Sequence, residues 1–327
     1  MGNKERAGIL VPERFIPTPA SVSPQAQTFL SNPPPFGQTS MPDAADKAGW
    51  RDYIEKTNRG MTAYLSHHAK QFPAETITHQ LASAPLYEIT PHNLSPDNKK
   101  RAIFYIHGGG FIVGHGEAAI YAALQIAHLT QTRTFSVDYR MPPDHPFPDG
   151  LNDTLDAYRW LLARYKPENI GLFGASAGGN LVAACVLKAR DVGLPLPAAC
   201  AVHSPAADLT ETGDTFQTNA IIDIVLKRGS PDMLALYAGG HDLRDPLLSP
   251  VFGDYTKGFP PTILTSGTRD LLLSSTVMLH RSLRRAGVEA QLHVWEAMTH
   301  GIVPDAPEAE ELMDEHVQFL LAHMGSQ

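Results

Sequence analysis

Three residues far apart in the chain could act together on a carbonyl: Ser176 in "GASAGG", Asp270 in "SGTRD" and His300 in "AMTHG". A serine hydroxyl is a weak nucleophile until a base takes its proton, and the base needs a carboxylate to hold its tautomer. Gly174-Ala175-Ser176-Ala177-Gly178 fits G-x-S-x-G, a sharp turn that lifts a serine off the end of a strand. Alone it is weak evidence, because ordinary glycine and serine usage supplies it by chance in roughly one chain in ten of this length.

An independent signal lies in "FYIHGGGFIVGHGE", where His107 is followed by Gly108, Gly109, Gly110 and Phe111. Consecutive glycines cost backbone entropy, so they mark a backbone that approaches a ligand closely or takes positive φ. N–H groups bared in this way can hold an oxyanion, and the donors here would be Gly108, Gly109 and Ala177. A phosphate or dinucleotide loop is the rival reading. The segment has neither G-x-G-x-x-G opening a helix in register nor G-x-x-x-x-G-K-[ST].

With a G-x-S-x-G serine the partners are expected in the chain order Ser, Asp or Glu, His. Asp270 follows the apolar run "PTILTSG" and His300 follows "EAQLHVWE", so both emerge at the carboxyl ends of strands. Glu296 is the rival acid, but it lies only four residues before His300 on the same strand exit. His293 reads as a residue of the last strand, His280 as a helix residue beside Arg281 and Arg284, and Asp245 and Asp305 as loop residues. No metal site is expected. H-E-x-x-H and C-x-x-C are absent, His67-His68 reads as a solvated helix end, and His316 and His323 read as an exposed face of a C-terminal helix. An imidazole base titrating near about 6.5 would make activity fall below about pH 6 to 7.

The elements that must position these residues follow from the hydrophobic pattern. "ETITHQ" and "LYEIT" are short and β-prone; "RAIFYIH", "TRTFSVDY", "ENIGLFG", "PAACAVHS" and "PTILTSG" are apolar runs separated by helix-length segments; "EAQLHVWE" alternates. The expected fold class is α/β, an eight-stranded, mostly parallel sheet with helices on both faces and a helical cap. Helices are expected at Tyr121 to Leu129, Asp153 to Tyr165, Leu181 to Arg190 and Ser275 to Ala286.

Residues 1–74 read as an N-terminal arm and cap helices, 75–205 and 259–327 as two parts of one core, and 206–258 as a cap insertion and return. The arm is proline-rich, which favours extended chain, and is followed by an amphipathic helix, or two broken at Gly60. In the insertion, "AIIDIVLK" reads as helical and is followed by "DMLALYAGG".

The chain has 327 residues, 43% of them hydrophobic, with 13 Phe and 10 Tyr, enough to bury one large core. Its net charge of −8, with both signs interspersed, offers no basic face for nucleic acid. Cys185 and Cys200 both lie in apolar runs. No signal-like apolar stretch or membrane span is visible, so the expectation is a soluble, cytoplasmic protein.

Taken in order, "HGGGF", "VDYRMPPDHPFPDGLND", "GASAGGNLV" and "SGTRD" followed by His300 resemble the hormone-sensitive-lipase-like esterases of the α/β-hydrolase fold, over about residues 75 to 325. The resemblance implies a triad of Ser176, Asp270 and His300, an oxyanion hole from Gly108, Gly109 and Ala177, and hydrolysis of short- to medium-chain carboxylic esters without a cofactor. It implies a small-molecule ester as partner and leaves room for a homodimer. Phe36, Phe111, Ile221, Ile222 and Val225 would line the substrate pocket. The chain departs from the family's usual GDSAG at Ala175 and from its Y-R-L-A-P-E at Met141-Pro142-Pro143-Asp144. A lactonase, amidase or acyltransferase would use the same triad. A ligand-binding protein can keep this fold after losing the histidine, as the related gibberellin receptors do, but here His300 is retained.

Overall fold

Parallel strands buried on both faces must be apolar throughout, and that is how this sheet is built. The computed structural model describes residues 9–13, 15–32, 41–228 and 231–325. The chain runs α1 (Pro24–Ser31), α2 (Lys47–Ala69), β1 (Ala74–Gln80), β2 (Pro85–Pro91), β3 (Ala102–Ile106), α3 (Glu117–Thr130), β4 (Arg133–Val137) and α4 (Asp149–Leu162). It continues β5 (Ile170–Ala175), α5 (Ala177–Asp191), β6 (Ala199–His203), α6 (Thr215–Thr218), α7 (Pro231–Ala238), β7 (Thr262–Gly267), α8 (Leu273–Arg285), β8 (Ala290–Trp295) and α9 (Pro307–His323).

The eight strands lie in the order β1-β2-β4-β3-β5-β6-β7-β8. β2 is antiparallel to both β1 and β4, and the remaining pairs are parallel. Every residue of β3, β6 and β7 is buried. Alternation divides them between two cores: Phe104, Ile106 and Leu172 pack with α4, α5 and α8, whereas Ile103, Tyr105 and Phe173 pack with α3 and α9. At about 25 cal/mol per Å² of apolar surface, these two cores are the main source of rigidity for the strand ends.

Two local expectations are corrected and one alternative is decided. The proline-rich arm contains a helix, α1, because Pro24 sits at its first position and Ser23 Oγ accepts from Ala26 N. Of the two readings of the amphipathic segment, the single helix holds: α2 runs unbroken through Gly60. "AIIDIVLK" is not a helix, because the Asp223 carboxylate takes the N–H groups of Val225 and Leu226 and closes a turn there. No helix among the described residues is long and apolar enough to cross a membrane.

α2 and α7 lie over the loop that follows β3. Trp50 and Ile54 from α2 pack with Ile112, Val113 and Leu236. Asn58 of α2 fixes the same loop, its Oδ1 accepting from Gly114 N and its Nδ2 donating to His115 O.

Candidate active site

β5 delivers Ser176 into a backbone conformation that only a constrained turn keeps, φ 57° and ψ −122°. Such conformations cost about 1 to 3 kcal/mol and persist where the surroundings over-determine them. Here the Ser176 N–H donates to His203 O, and Ser176 O accepts from Asn180 N and Ala206 N. The turn also needs Gly178: a Cβ there would lie 2.0 Å from Ile106 O.

His300, on the loop after β8, places Nε2 3.0 Å from Ser176 Oγ and Nδ1 3.2 Å from Asp270 Oδ1. Asp270, on the loop after β7, is fully buried. Its Oδ2 accepts from Ser266 Oγ and its Oδ1 from Leu272 N. Burial pushes the Asp270 carboxyl up, but its hydrogen bond and charge interaction with His300, with help from Ser204 and Ser266, bring it down to about 2. Burial lowers His300, and its interactions with Asp270 and the charge of Asp223 outweigh it, so the imidazole stands above its usual 6.5. The pair therefore favours a carboxylate beside a base ready to accept a proton. Glu296 is not part of it: its Oε2 accepts from Thr268 Oγ1 at 3.5 Å in an exposed position.

The glycine loop lies against the serine. A Cβ on Gly108 would be 3.4 Å from Ser176 Cβ, and Gly109 has φ +116°, with no room for a side chain beside Val113 O. The N–H groups of Gly108, Gly109 and Ala177 make no hydrogen bond to any described residue. Three unclaimed donors around one hydroxyl form a place where negative charge on an oxygen could be held. His107 stacks on Tyr139 with ring centroids 4.2 Å apart, and Tyr139 Oη donates to His107 O. Arg140 clamps Asp153 of α4 through its side chain and its backbone N. The "VDYR" segment thus braces the loop from behind.

Of the five expected pocket residues, Phe36 lies outside the described residues. Phe111 is buried and stacks on Tyr237 at 3.9 Å, while Ile222 and Val225 are half-buried. Ile221 is 80% exposed, on the turn that replaces the expected helix. A cavity of ≈ 810 Å³ opens within the insertion between Leu209, Thr210, Leu234, Ala238, His241 and Leu243, and none of the four described pocket candidates lines it.

His316 is also corrected. It is buried, with Nε2 3.0 Å from Thr265 Oγ1, which in turn lies 2.9 Å from His203 Nδ1. His323 faces Glu289, and His293 is hydrogen-bonded to Glu315. No group of residues that could hold a metal occurs among the described residues. Sequence reasoning missed Asn219, Asp223, His203, Ser204 and Ser266, which surround the Asp270–His300 pair. The one available signal was an acidic residue, Asp223, inside an apolar run.

A family model for the alpha/beta hydrolase fold matches residues 103–304. An acetyl-hydrolase of Streptomyces hygroscopicus is 33% identical over 202 residues, 61% of this chain and 67% of that protein. An esterase of Acinetobacter venetianus is 31% identical over 204 residues, 60% of this chain and 65% of that one. Among solved structures, esterase E25 superposes with a TM-score of 0.89 at 34% identity, covering 97% of this chain and 99% of that chain. An esterase from the bacterial hormone-sensitive lipase family does so with a TM-score of 0.79 at 30% identity, over 93% and 99%.

Proposed function

Because the chain belongs to the α/β-hydrolase family, among the bacterial hormone-sensitive-lipase-like esterases, we propose that it hydrolyses short- to medium-chain carboxylic esters through an acyl-enzyme on Ser176. Ser176 Oγ attacks the ester carbonyl carbon while His300 Nε2 takes its proton. The carbonyl π pair moves onto oxygen, and the N–H groups of Gly108, Gly109 and Ala177 stabilise that charge. The tetrahedral intermediate collapses, the carbon–alkoxide bond breaks and His300 returns its proton to the leaving alcohol. Water then repeats the sequence on the acyl-serine, releasing the acid and restoring Ser176. Asp270 holds the imidazole tautomer and stabilises the imidazolium without taking the proton. Each step is carried by the chain's own groups and water, so none calls for a cofactor.

The observation that carries this reading is the hydrogen-bonded line Ser176–His300–Asp270 beside three unclaimed N–H donors. In the same reading, α2 with the N-terminal arm and residues 206–258 act as the cap that selects the acyl and alcohol groups. The test is a chain-length series of p-nitrophenyl esters with wild type and Ser176→Ala. Wild type is expected to cleave the short and medium chains and to show a burst of p-nitrophenol as the acyl-enzyme fills, and Ser176→Ala to cleave none. If wild type cleaves no ester, or the variant cleaves as well, the reading fails.

A further inference from the structure

Asp223 belongs to the insertion, not to the loops that carry the triad, yet its side chain joins those loops. The residue is fully buried, and its carboxylate accepts four backbone N–H groups. Oδ1 takes those of Val225 and Leu226, at 2.9 Å each. Oδ2 takes Leu271 N at 2.8 Å and His300 N at 3.2 Å. Leu271 is the residue after Asp270, and the second donor is the backbone of the base itself. One oxygen atom thus ties the loop after β7 to the loop after β8, across the gap that the Asp270–His300 hydrogen bond must span.

We propose that Asp223 is a positioning residue for the hydrolytic reaction, its carboxylate setting the distance between the acid-bearing and base-bearing loops. The inference rests on the esterase reading above.

Two features support it. Asn219, one turn earlier, donates Nδ2 to Thr268 O at 3.1 Å and to Asp270 O at 2.8 Å, while its own carbonyl accepts from Ile222 and Asp223 N. Residues 219 to 226 therefore form a brace fastened to the acid loop at several points. The second feature is the choice of side chain. Four converging N–H donors need an acceptor with two oxygens, which an ionised carboxylate supplies and an amide does not. A carboxylate buried without a hydrogen-bonded side-chain cation is costly unless such donors are in place. Lys227 does not fill that role, because its Nζ donates to the Asp223 backbone carbonyl.

The charge has a further effect. The groups that face His300 are Asp270 at Nδ1, Ser176 at Nε2, Asp223 beneath its backbone, and the buried His203 of β6. Burial pushes the Asp223 carboxyl above its usual range against the pull of His300 and its N–H donors, and in its ionised form it joins Asp270 in favouring the imidazolium that forms as Ser176 attacks.

The test uses Asp223→Asn and Asn219→Ala in the full chain, with p-nitrophenyl butyrate as substrate. The fraction of competent enzyme is counted by the p-nitrophenol burst, so that kcat is expressed per folded site. For Asp223→Asn, kcat is expected to fall about 10- to 100-fold, as misplacement by about 1 Å does, with KM changed less than about threefold. The acid limb of its kcat/KM profile is expected to move to lower pH, because the imidazolium loses a favourable charge. Asn219→Ala removes two bonds to the acid loop and no charge, so its kcat should fall while its acid limb stays in place. A structural brace with no role in positioning would lower the count of competent sites and leave kcat per site and the acid limb at wild-type values, and that result overturns the proposal. If Asp223→Asn does not fold, Asn219→Ala decides: a wild-type kcat per site overturns the proposal and a lowered kcat at unchanged KM upholds it. Loss of the esterase reading itself would appear differently, as absence of ester cleavage by wild type.

Discussion

Lowering the pH from 7 to 5 should destabilise the folded protein, with His107 and His203 as the main cause. Both are buried, and desolvation, the largest influence on each, lowers them to about 4 in the folded chain. In the unfolded chain an imidazole titrates near about 6.5. Between those values the unfolded state binds protons that the native state refuses, so stability falls on acidification. With 1.36 kcal/mol per pH unit, a shift from 6.5 to about 4 costs about 2 kcal/mol per histidine over this interval, or about 4 kcal/mol for the two. His316, lowered by burial and by its neighbours His203 and His293, adds to the same trend. His300 opposes it: its pKa is raised in the folded state, so its stabilisation grows as the pH falls through that raised value. Asp270, held at about 2, keeps its contribution throughout and loses it only below the usual carboxylate range near 3.8. Urea unfolding followed by circular dichroism at pH 5, 6 and 7 measures the effect. In His203→Gln the drop from pH 7 to pH 5 should shrink by about 2 kcal/mol, whatever the variant's own stability at pH 7. A wild-type stability that is flat over this range, or an unchanged drop in the variant, would refute the reasoning.

Asp270→Asn should lower kcat about 10⁴-fold with KM nearly unchanged, because the neutral amide holds the wrong imidazole tautomer; steady-state kinetics on p-nitrophenyl butyrate checks this. Gly178→Ala should fail to give soluble, active enzyme, since its Cβ would meet the Ile106 carbonyl oxygen at 2.0 Å, a backbone atom that cannot swing away. Gly60→Ala, inside α2 with nothing within 4 Å, should instead stabilise the protein by about 1 kcal/mol in urea melts.

The strands were legible because burial on both faces leaves no room for polar residues in β3, β6 or β7. Ser176 and Asp270 were legible as residues that follow such apolar runs, and His300 as the histidine that follows the alternating last strand. What the sequence concealed depends on contacts between distant segments. Asp223 sits in an apolar stretch with a helical look, but one of its oxygens closes a turn on Val225 and Leu226 while the other meets Leu271 and His300, 48 and 77 residues away. His316 was read with His323 as one exposed helix face, but α9 lies against the sheet and puts His316 within reach of Thr265. α1 was missed because its proline was read as a breaker, whereas at the first helical position the missing N–H costs nothing.

These hidden contacts explain how the site works with Ala175 where related esterases usually carry an acid. Ala175 closes β5 and pairs with His203 of β6, and its carbonyl oxygen lies against Gly108. Ser176 is held by its own N–H and carbonyl bonds to His203, Asn180 and Ala206. The shape of the nucleophile turn therefore comes from backbone bonds and small residues on every side, and a carboxylate at position 175 would add charge without adding a constraint. The constraint that the turn cannot supply is the placing of the base, because His300 arrives from a strand three places away in the sheet. That task falls to carboxylates that reach His300 directly: Asp270 at the ring and Asp223 at the backbone. The insertion thereby does more than cover the strand ends, since it supplies one of the two anions that hold the base in register with the serine.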